Sequence, residues 1–305
     1  MPLLAVPMGL GGLGLAWRQA AALDAVPPLP GEAVMGVAVL AWFALVGLHA
    51  LRFLRHPGDL RTDWLHPFKA GFFAAASIGL MEVGAAALPY APALAQAVLL
   101  LAVAVHVLLA LLLLGRFTRG EASEEMLVPP LLLPLVGHLV GALVCGKMGM
   151  EVLGWMLLGI GGLLWLIIMP LLVWRLLSGP GLPPPLRPSI GVILAPPTVG
   201  ALAVAALAGP VGPVLWALCG LSAFILALLA IGLPHTLAAG FSPAIWAFSF
   251  PLANFASVLL LLAPLAVALP ALLLVSAVIA LMAAATLRAW ASGRLLAPLP
   301  PVATP

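Results

Sequence analysis

A run of aromatic and small polar residues in the ninth apolar stretch of the chain could line the path of a solute. If this run forms one helix, five of its residues share a face because they follow the spacing i, i+4, i+7, i+8 and i+11. They are Trp246, Phe250, Ala253, Asn254 and Ser257. The face carries a bulky ring and two small polar groups in a segment that is otherwise too apolar for water. Such a stripe is typical of a pore wall with a plug.

Titratable side chains are rare within the apolar stretches. Glu82 is the one carboxylate inside a predicted span, and at that depth it is either a proton site or a structural residue that is buried neutral or reaches the membrane surface. His106 and His138 also lie inside spans, where a neutral imidazole bonded to a backbone carbonyl is the simpler interpretation. Because His138 lies between Gly137 and Gly141, close helix packing is the first interpretation of its position. Both alternatives stay open for Glu82 and His138.

The composition of the chain excludes a soluble protein. Hydrophobic residues make up 65% of the 305 residues, charged residues make up 7%, and the mean hydropathy is +1.27. A soluble core cannot bury such a share of apolar surface. The absence of a long polar segment predicts one membrane domain over residues 1–305. We find no nucleophile elbow, metal-ligand spacing, phosphate-binding loop or basic-aromatic surface, so we predict no enzyme, cofactor, metal site or nucleic-acid partner.

Apolar stretches of about 20 residues, separated by Pro, Gly and charged residues, mark the membrane spans. Residues 188–287 contain no charged residue, so length decides there, and about 25 residues per crossing and turn gives four helices. The sequence therefore predicts ten spans, at residues 3–22, 33–51, 68–88, 91–114, 128–144, 152–173, 190–207, 214–233, 243–263 and 265–287.

The basic residues fall mainly on one side of these spans. Ten Lys and Arg residues follow even-numbered spans, and only Arg18 and Lys147 lie on the opposite side. The positive-inside rule therefore predicts that both termini are cytoplasmic. On that side, Arg52 ends the second span and Lys69 begins the third. They are either charges that set the topology or parts of a positive vestibule that concentrates anions.

The odd-numbered spans are richer in Pro and Gly than most of the even-numbered spans. A proline inside a lipid-facing helix leaves backbone groups without partners, which is tolerable only beside protein or a water-filled cavity. We therefore expect the odd-numbered helices inside the protein, around a pore. The predicted lining residues are Pro7, Gly11, Gly14, Pro134, Ala195, Pro196, Thr198, Trp246, Ser249, Ala253, Asn254 and Ser257.

Three segments of the chain carry a resemblance to a known family. They are Trp-Ala-Phe-Ser-Phe at residues 246–250, Val-Pro-Met-Gly-Leu at residues 6–10 running to Leu-Ala-Trp at residues 15–17, and Gly-Val-Ile-Leu-Ala-Pro-Pro at residues 191–197. Together they resemble the tellurite-resistance and C4-dicarboxylate transporter family, which includes bacterial tellurite-resistance channels and the slow anion channels of plant guard cells.

The resemblance implies a fold and a role for one residue. The fold is an all-α polytopic membrane protein of ten helices, arranged as five hairpins around a pseudo-five-fold central pore with the odd helices inside. The role is that of a pore gate, which falls on Phe250. The resemblance also implies a homotrimer in the bacterial inner membrane.

Two functions follow from these features. Kinked inner helices, few fixed carboxylates and a cytoplasmic excess of positive charge predict a passive pathway for small anions, occluded by Phe250. The alternative is a proton-coupled carrier that exports a C4-dicarboxylate, sulfite or tellurite, in which Glu82 or a histidine titrates. A membrane scaffold without transport is a third possibility, in which the polar stripe would have no water beside it.

Overall fold

The computed structural model describes residues 1–296, and every regular element in this range is a helix. The α-helices are α1 (Ala5–Ala22), α2 (Leu29–Arg55), α3 (Pro57–Leu65), α4 (Phe72–Ala87), α5 (Pro92–Thr118), α6 (Leu133–Lys147), α7 (Glu151–Ser178), α8 (Ala195–Ala208), α9 (Pro213–Ile231), α10 (Leu233–Leu237), α11 (Ser249–Leu262) and α12 (Leu265–Ala291). Residues 297–305, which end the predicted single domain, lie outside the described part.

Eight helical stretches between residues 1 and 296 are long and apolar enough to cross a membrane, judged by length and composition. They are α2, α5, α7, α9 and α12, together with α6, α8 and α11 when each is joined to the 3-10 segment before it. The helix α4 is shorter but also apolar. The prediction of an all-helical protein with many membrane spans is therefore confirmed.

Four of the α-helices continue directly from a 3-10 segment. These segments are Pro2–Leu4 before α1, Pro129–Leu132 before α6, Pro184–Leu194 before α8 and Pro243–Phe248 before α11. In each case a proline lies within the first three residues of the α-helix, where few backbone N–H groups have a partner in the same helix, so its missing donor costs little. The structure thus locates Pro7, Pro134, Pro196 and Pro251 at 3-10 to α junctions, whereas Pro170 and Pro270 lie inside the helices α7 and α12.

The observed boundaries differ from the predicted spans at short or polar segments. The helix α2 begins at Leu29 and α7 begins at Glu151, so Glu32 and Glu151 belong to the first turns of long helices, outside the predicted spans. The helices α3 and α10 occupy connections that we expected to be loops. Both are shorter than ten residues, so they lack the long apolar signal that marks a span.

Five helices, α1, α4, α6, α8 and α11, form the interior of the molecule. Their mutual contacts run in a closed circuit, in which α1 packs against α4 and α11, α6 packs against α4 and α8, and α8 packs against α11. Each of the five also packs against the long helix that follows it in the chain. Large apolar side chains on those following helices are exposed, as a lipid-facing surface requires, and Leu40, Leu166 and Phe224 are examples.

Glycines permit the closest approaches between the interior segments. A Cβ on Gly9 of α1 would overlap the Ser249 hydroxyl of α11. A Cβ on Gly71, just before α4, would overlap the carbonyl of Pro130 in the 3-10 segment before α6. These contacts bring helices together at a separation that side chains would prevent, as small residues do at membrane helix interfaces.

Candidate functional site

Phe250 lies in the interior, at the second residue of α11, and is 3% exposed. Its ring rests against α1 at Gly12, where an added Cβ would lie 3.1 Å from Cδ2 of Phe250 and 3.4 Å from Cβ of Ala253. The ring therefore fills the space between two of the five interior helices. Its role as a gate stays a prediction at this point.

The polar side chains around Phe250 are bonded to backbone carbonyls. Ser249 Oγ donates to the Trp246 carbonyl at 2.7 Å, and Asn254 Nδ2 donates to the Phe250 carbonyl at 2.8 Å. Ser257 is buried one turn beyond Asn254. The Ser249 hydroxyl and the Asn254 amide are therefore bonded within α11 and the 3-10 segment before it.

Trp246 does not continue the stripe as the sequence suggested. It belongs to the 3-10 segment before α11, and its indole Nε1 donates to Thr286 Oγ1 of α12 at 2.8 Å. The i, i+4 spacing assumed one continuous α-helix, whereas a 3-10 helix has three residues per turn and changes the direction of the side chains before Ser249. The Trp246 indole therefore bonds to an outer helix.

The α8 segment has a similar arrangement of hydroxyl and proline. Thr198 Oγ1 lies 2.9 Å from the carbonyls of Leu194 and Ala195. Ala195, Pro196 and Thr198 are all buried. The Thr198 hydroxyl is thus bonded within its own helical segment.

The predicted lining residues of α1 face different neighbours. Gly11 abuts the Glu82 carboxylate of α4, and Gly14 lies against the backbone of α2, where an added Cβ would be 3.1 Å from the Met35 nitrogen. Pro7 borders a cleft beside Glu82. The three residues are buried, and their place in a pore lining stays a prediction.

Glu82 is buried without a protein partner. The residue is 4% exposed, and neither carboxylate oxygen has a hydrogen-bond partner among the described residues. Glu82 borders a narrow gap between α1, α2 and α4 that is too small for a water molecule, with Pro7, Met35 and Gly79 among the lining residues. A buried ionised carboxylate without a partner is so costly that the site either holds the neutral acid or supplies a partner.

The two buried histidines belong to one network. His106 of α5 has Nδ1 2.8 Å from Ser77 Oγ of α4 and Nε2 2.8 Å from the Pro134 carbonyl of α6. His138 Nδ1 lies 2.7 Å from the same carbonyl. Gly137 makes room for the His106 ring, because a Cβ there would overlap it. Both imidazoles thus lie within bonding distance of a backbone carbonyl, as the sequence analysis expected, and His106 joins the outer helix α5 to the interior helices α4 and α6.

The two predicted vestibule cations share a carboxylate that sequence reasoning missed. Asp63 of α3 is 1% exposed and bonds to Arg52 Nη1 and Lys69 Nζ, each at 2.8 Å. Asp59, one turn earlier, accepts from Arg52 Nε at 2.8 Å. Burial alone would raise the pKa of Asp63, but the bonds and charges of Lys69 and Arg52 outweigh it and lower that pKa below its ordinary value. The i, i+4 spacing of Asp59 and Asp63 could have indicated that the two carboxylates share one face of a helix.

Near the C-terminal end of α1, a second ion pair joins the helices α1, α2 and α4. Arg18 contacts Glu32 of α2 through Nε at 2.8 Å and Nη2 at 2.6 Å, and its guanidinium also donates to the Ala85 and Ala86 carbonyls at the end of α4. Tyr90 donates its hydroxyl to Glu32 at 2.7 Å. One of the two basic residues on that side is therefore paired.

Comparison with known proteins identifies the family of this chain. A family model described as voltage-dependent anion channel matches residues 2–292. The chain belongs to this family. It is also similar to the tellurite resistance protein TehA homolog of Haemophilus influenzae, with 26% identity over 258 residues that cover 83% of this chain and 77% of the relative. The predicted resemblance is thus confirmed, and the chain is a membrane anion-transport protein rather than an enzyme.

Proposed function

We propose that the protein is a passive pathway for small anions that runs along the axis enclosed by α1, α4, α6, α8 and α11 and is occluded by Phe250. In this proposal ten helices form five hairpins around a pseudo-five-fold axis. The closed circuit of contacts among the five interior helices and the pairing of each with its successor support this arrangement. Membership of an anion channel family supports the substrate class.

The observation that carries the proposal is the position of the Phe250 ring. It is buried between α1 and α11, directly beside the junction of α11 with its 3-10 segment. An aromatic ring in a narrow pore blocks ions because a hydrated ion cannot lose its water against an apolar wall that offers no replacement ligand. The contact with Gly12 gives the ring a flat surface to rest on. Movement of the ring away from Gly12 would open the path.

The direction of the interior helices favours anions. All five begin on the side that carries Arg52 and Lys69, if the chain crosses the membrane as the ten predicted spans require. Their N-terminal ends carry partial positive charge, which attracts an anion approaching from that side. Asp63 partly offsets the charges of Arg52 and Lys69. We propose that this side is cytoplasmic, as the distribution of basic residues indicates.

Electrophysiology on the purified full chain tests the gate. In planar bilayers with a KCl gradient, the Phe250→Ala variant is expected to raise chloride conductance about tenfold or more, which corresponds to a barrier lowered by about 1.4 kcal/mol. The matched control is Phe255→Ala, on the same helix but only partly buried, which should leave conductance near the wild-type value. Equal conductance of all three proteins, with wild-type folding, would reject the gate assignment.

A second candidate function is a proton-coupled carrier for a C4-dicarboxylate, sulfite or tellurite. The unpartnered Glu82 carboxylate beside Gly11 favours it, because a buried acid next to the proposed path could bind and release a proton during transport. Reversal potentials separate the two functions. A channel follows the anion gradient alone, whereas a carrier shifts its reversal potential when a pH gradient is imposed, and Glu82→Gln would abolish that shift.

The assembly state is part of the same proposal. The family resemblance implies a homotrimer in which each subunit contains its own pore. Mass measurement of the protein in detergent at the level of intact complexes tests this directly. A monomer or dimer as the main species would contradict the trimer without affecting the proposed path, because all the residues of that path belong to one chain.

A further inference from the structure

A cleft where α3 meets α4 and α5 has no part in the proposed anion path. Its volume is about 380 Å³, and it opens on the outer surface of the helices. Apolar side chains of Leu60, Trp64, Phe73 and Leu112 line it, together with the exposed cation Arg61. Trp64 and Phe73 pack edge to face with ring centroids 5.2 Å apart. The cleft thus has apolar walls and one cationic side chain in its lining.

A buried guanidinium lies beside two residues of this cleft, Leu112 and Trp64. Arg116 follows Leu112 by one turn of α5 and is 6% exposed. Its one hydrogen bond within the described residues is long, from Nη1 to the Trp64 carbonyl at 3.4 Å, and its buried Nε has no partner there. Guanidinium groups are almost never buried unless they are paired with an anion. Among the described residues, Arg116 therefore has no anionic partner, although a buried guanidinium normally has one.

The neighbouring carboxylates do not supply that anion. Asp63 binds Arg52 and Lys69, Asp59 also binds Arg52, and Glu121 binds Arg119. Within residues 1–296, neither Arg61 nor Arg116 forms an ion pair with a carboxylate. In the described part of the chain, no carboxylate therefore neutralises the two arginines.

We propose that this cleft binds an anionic phospholipid, with an acyl chain against Leu60, Phe73 and Leu112 and the phosphate between Arg61 and Arg116. Three features select a lipid. The apolar walls open toward the surface that faces hydrocarbon, the lining includes the cation Arg61, and Trp64 has the amphipathic ring that is common at the level of the headgroups. A free phosphate ion would gain nothing from the apolar walls. Arginine pairs well with the phosphate because its fork of N–H donors matches two oxygens.

Native mass spectrometry of the purified full chain tests the proposal. Phosphatidylglycerol and phosphatidylcholine with identical acyl chains are titrated separately, and the wild type is expected to bind phosphatidylglycerol more tightly. Each basic residue at a headgroup contributes about a fivefold preference for an anionic lipid. The variant Arg61→Gln should lose about fivefold, and Arg61→Gln with Arg116→Gln should bind the two lipids equally.

Two further variants and a competition distinguish a lipid site from a general effect of charge and from a site for free phosphate. Arg175→Gln, at the corresponding end of α7, is the charge-matched control and should keep the preference. Leu112→Trp should fill the cleft and weaken binding of both lipids without changing the charge.

Arg61→Gln alters only an exposed side chain, so it remains informative if the double variant does not fold. Equal binding of both lipids to the wild type, an unchanged preference in Arg61→Gln, or displacement of the lipid by millimolar inorganic phosphate would overturn the proposal.

Discussion

The segment Pro129–Lys147, which contains α6, and the helix α2 are both apolar enough to cross a membrane, yet they occupy opposite environments. In the most apolar part of each, 94% of the first is buried within the protein against 11% of the second. Hydropathy marks both as spans and does not separate them. An interior membrane helix and a lipid-facing helix both avoid water, so apolar content alone cannot show which is which.

The two segments differ in what surrounds their glycines. Gly137 and Gly141 of α6 receive His106 of α5 and Leu157 of α7 at close range, whereas Gly36 of α2 has no atom within 4 Å of an added Cβ. In α2, Gly31 near the start of the helix meets α1, with Arg18 N 3.0 Å from an added Cβ, while Gly47 is as open as Gly36. Close approach therefore marks the glycines that face another helix, whichever set the helix belongs to.

The largest effect is expected when an interior glycine is enlarged. In Gly9→Leu the new side chain would collide with Ser249, and since added volume in a well-packed interior costs about 1–3 kcal/mol or more, we expect most of the protein to be lost as aggregate. The measurement is the yield of the monodisperse peak in size-exclusion chromatography, with thermal melting of any recovered protein.

The matched variant on the outer set is Gly36→Leu, whose side chain would extend into open space. It should give wild-type yield and melting temperature. If the two variants behaved alike, the distinction between glycines that face another helix and glycines in open space would be wrong.

A middle-sized effect is expected at His106, the outer-helix residue that reaches into the interior. His106→Leu removes both ring hydrogen bonds and leaves Ser77 and the Pro134 carbonyl with fewer partners. The free energy of unfolding should fall by about 1–3 kcal/mol, the cost of leaving buried polar groups unsatisfied. Unfolding in mixed detergent micelles measures this. Leu108→Ala, on the exposed side of the same helix, is the control, and a loss there as large as that at His106 would contradict the assignment.

The smallest effect concerns α4, the interior helix that lacks a 3-10 segment directly before it. Instead, His66 Nδ1 accepts from the backbone N–H groups of Phe68 and Lys69, at 3.1 and 3.4 Å. Burial, followed by the charge of Lys69, lowers the pKa of His66 below its ordinary value of 6.5, so the folded state favours the neutral ring. This contribution is present above about pH 6.5 and is lost as the pH falls through the lowered pKa.

Acidification from about pH 7.5 to about pH 5.5 should therefore cost the wild type about 1 kcal/mol or less, which is the typical value of such a cap. His66→Asn, which keeps an acceptor but does not titrate, should show a smaller loss over the same range in thermal melting. His56→Asn, at an exposed histidine nearby, is the control. A pH dependence that is the same in all three proteins would exclude the His66 cap as its source.

Much of the fold could be predicted because it depends on local composition. Each predicted span overlaps an observed helix, and the excess of Pro and Gly in odd-numbered spans correctly indicated the buried set. The 3-10 segments could not be predicted, because prolines are compatible with both a kinked α-helix and a 3-10 to α junction. The helix α3 was missed for want of a long apolar run.

The site was predicted less completely than the fold. The burial of Phe250, Asn254 and Ser257 agrees with the proposed stripe, whereas Trp246 departs from it because its indole bonds to Thr286 of α12. Nothing in the spacing of residues 246 and 286 could indicate that bond. Contacts between residues so far apart in sequence depend on how each helix is rotated about its axis.

The sequence by itself determined that the chain lives in a membrane, roughly where its helices lie and which of them resemble interior helices, because these properties follow from short stretches of apolar, proline and glycine residues. Only the tertiary structure decided the partners: Glu82 against Gly11, Asp63 between Arg52 and Lys69, and Arg116 without an anion among the described residues. The physical reason is that burial and pairing depend on which helices meet, at what rotation and how closely. The environment of a charged residue is therefore set only when the helices pack together.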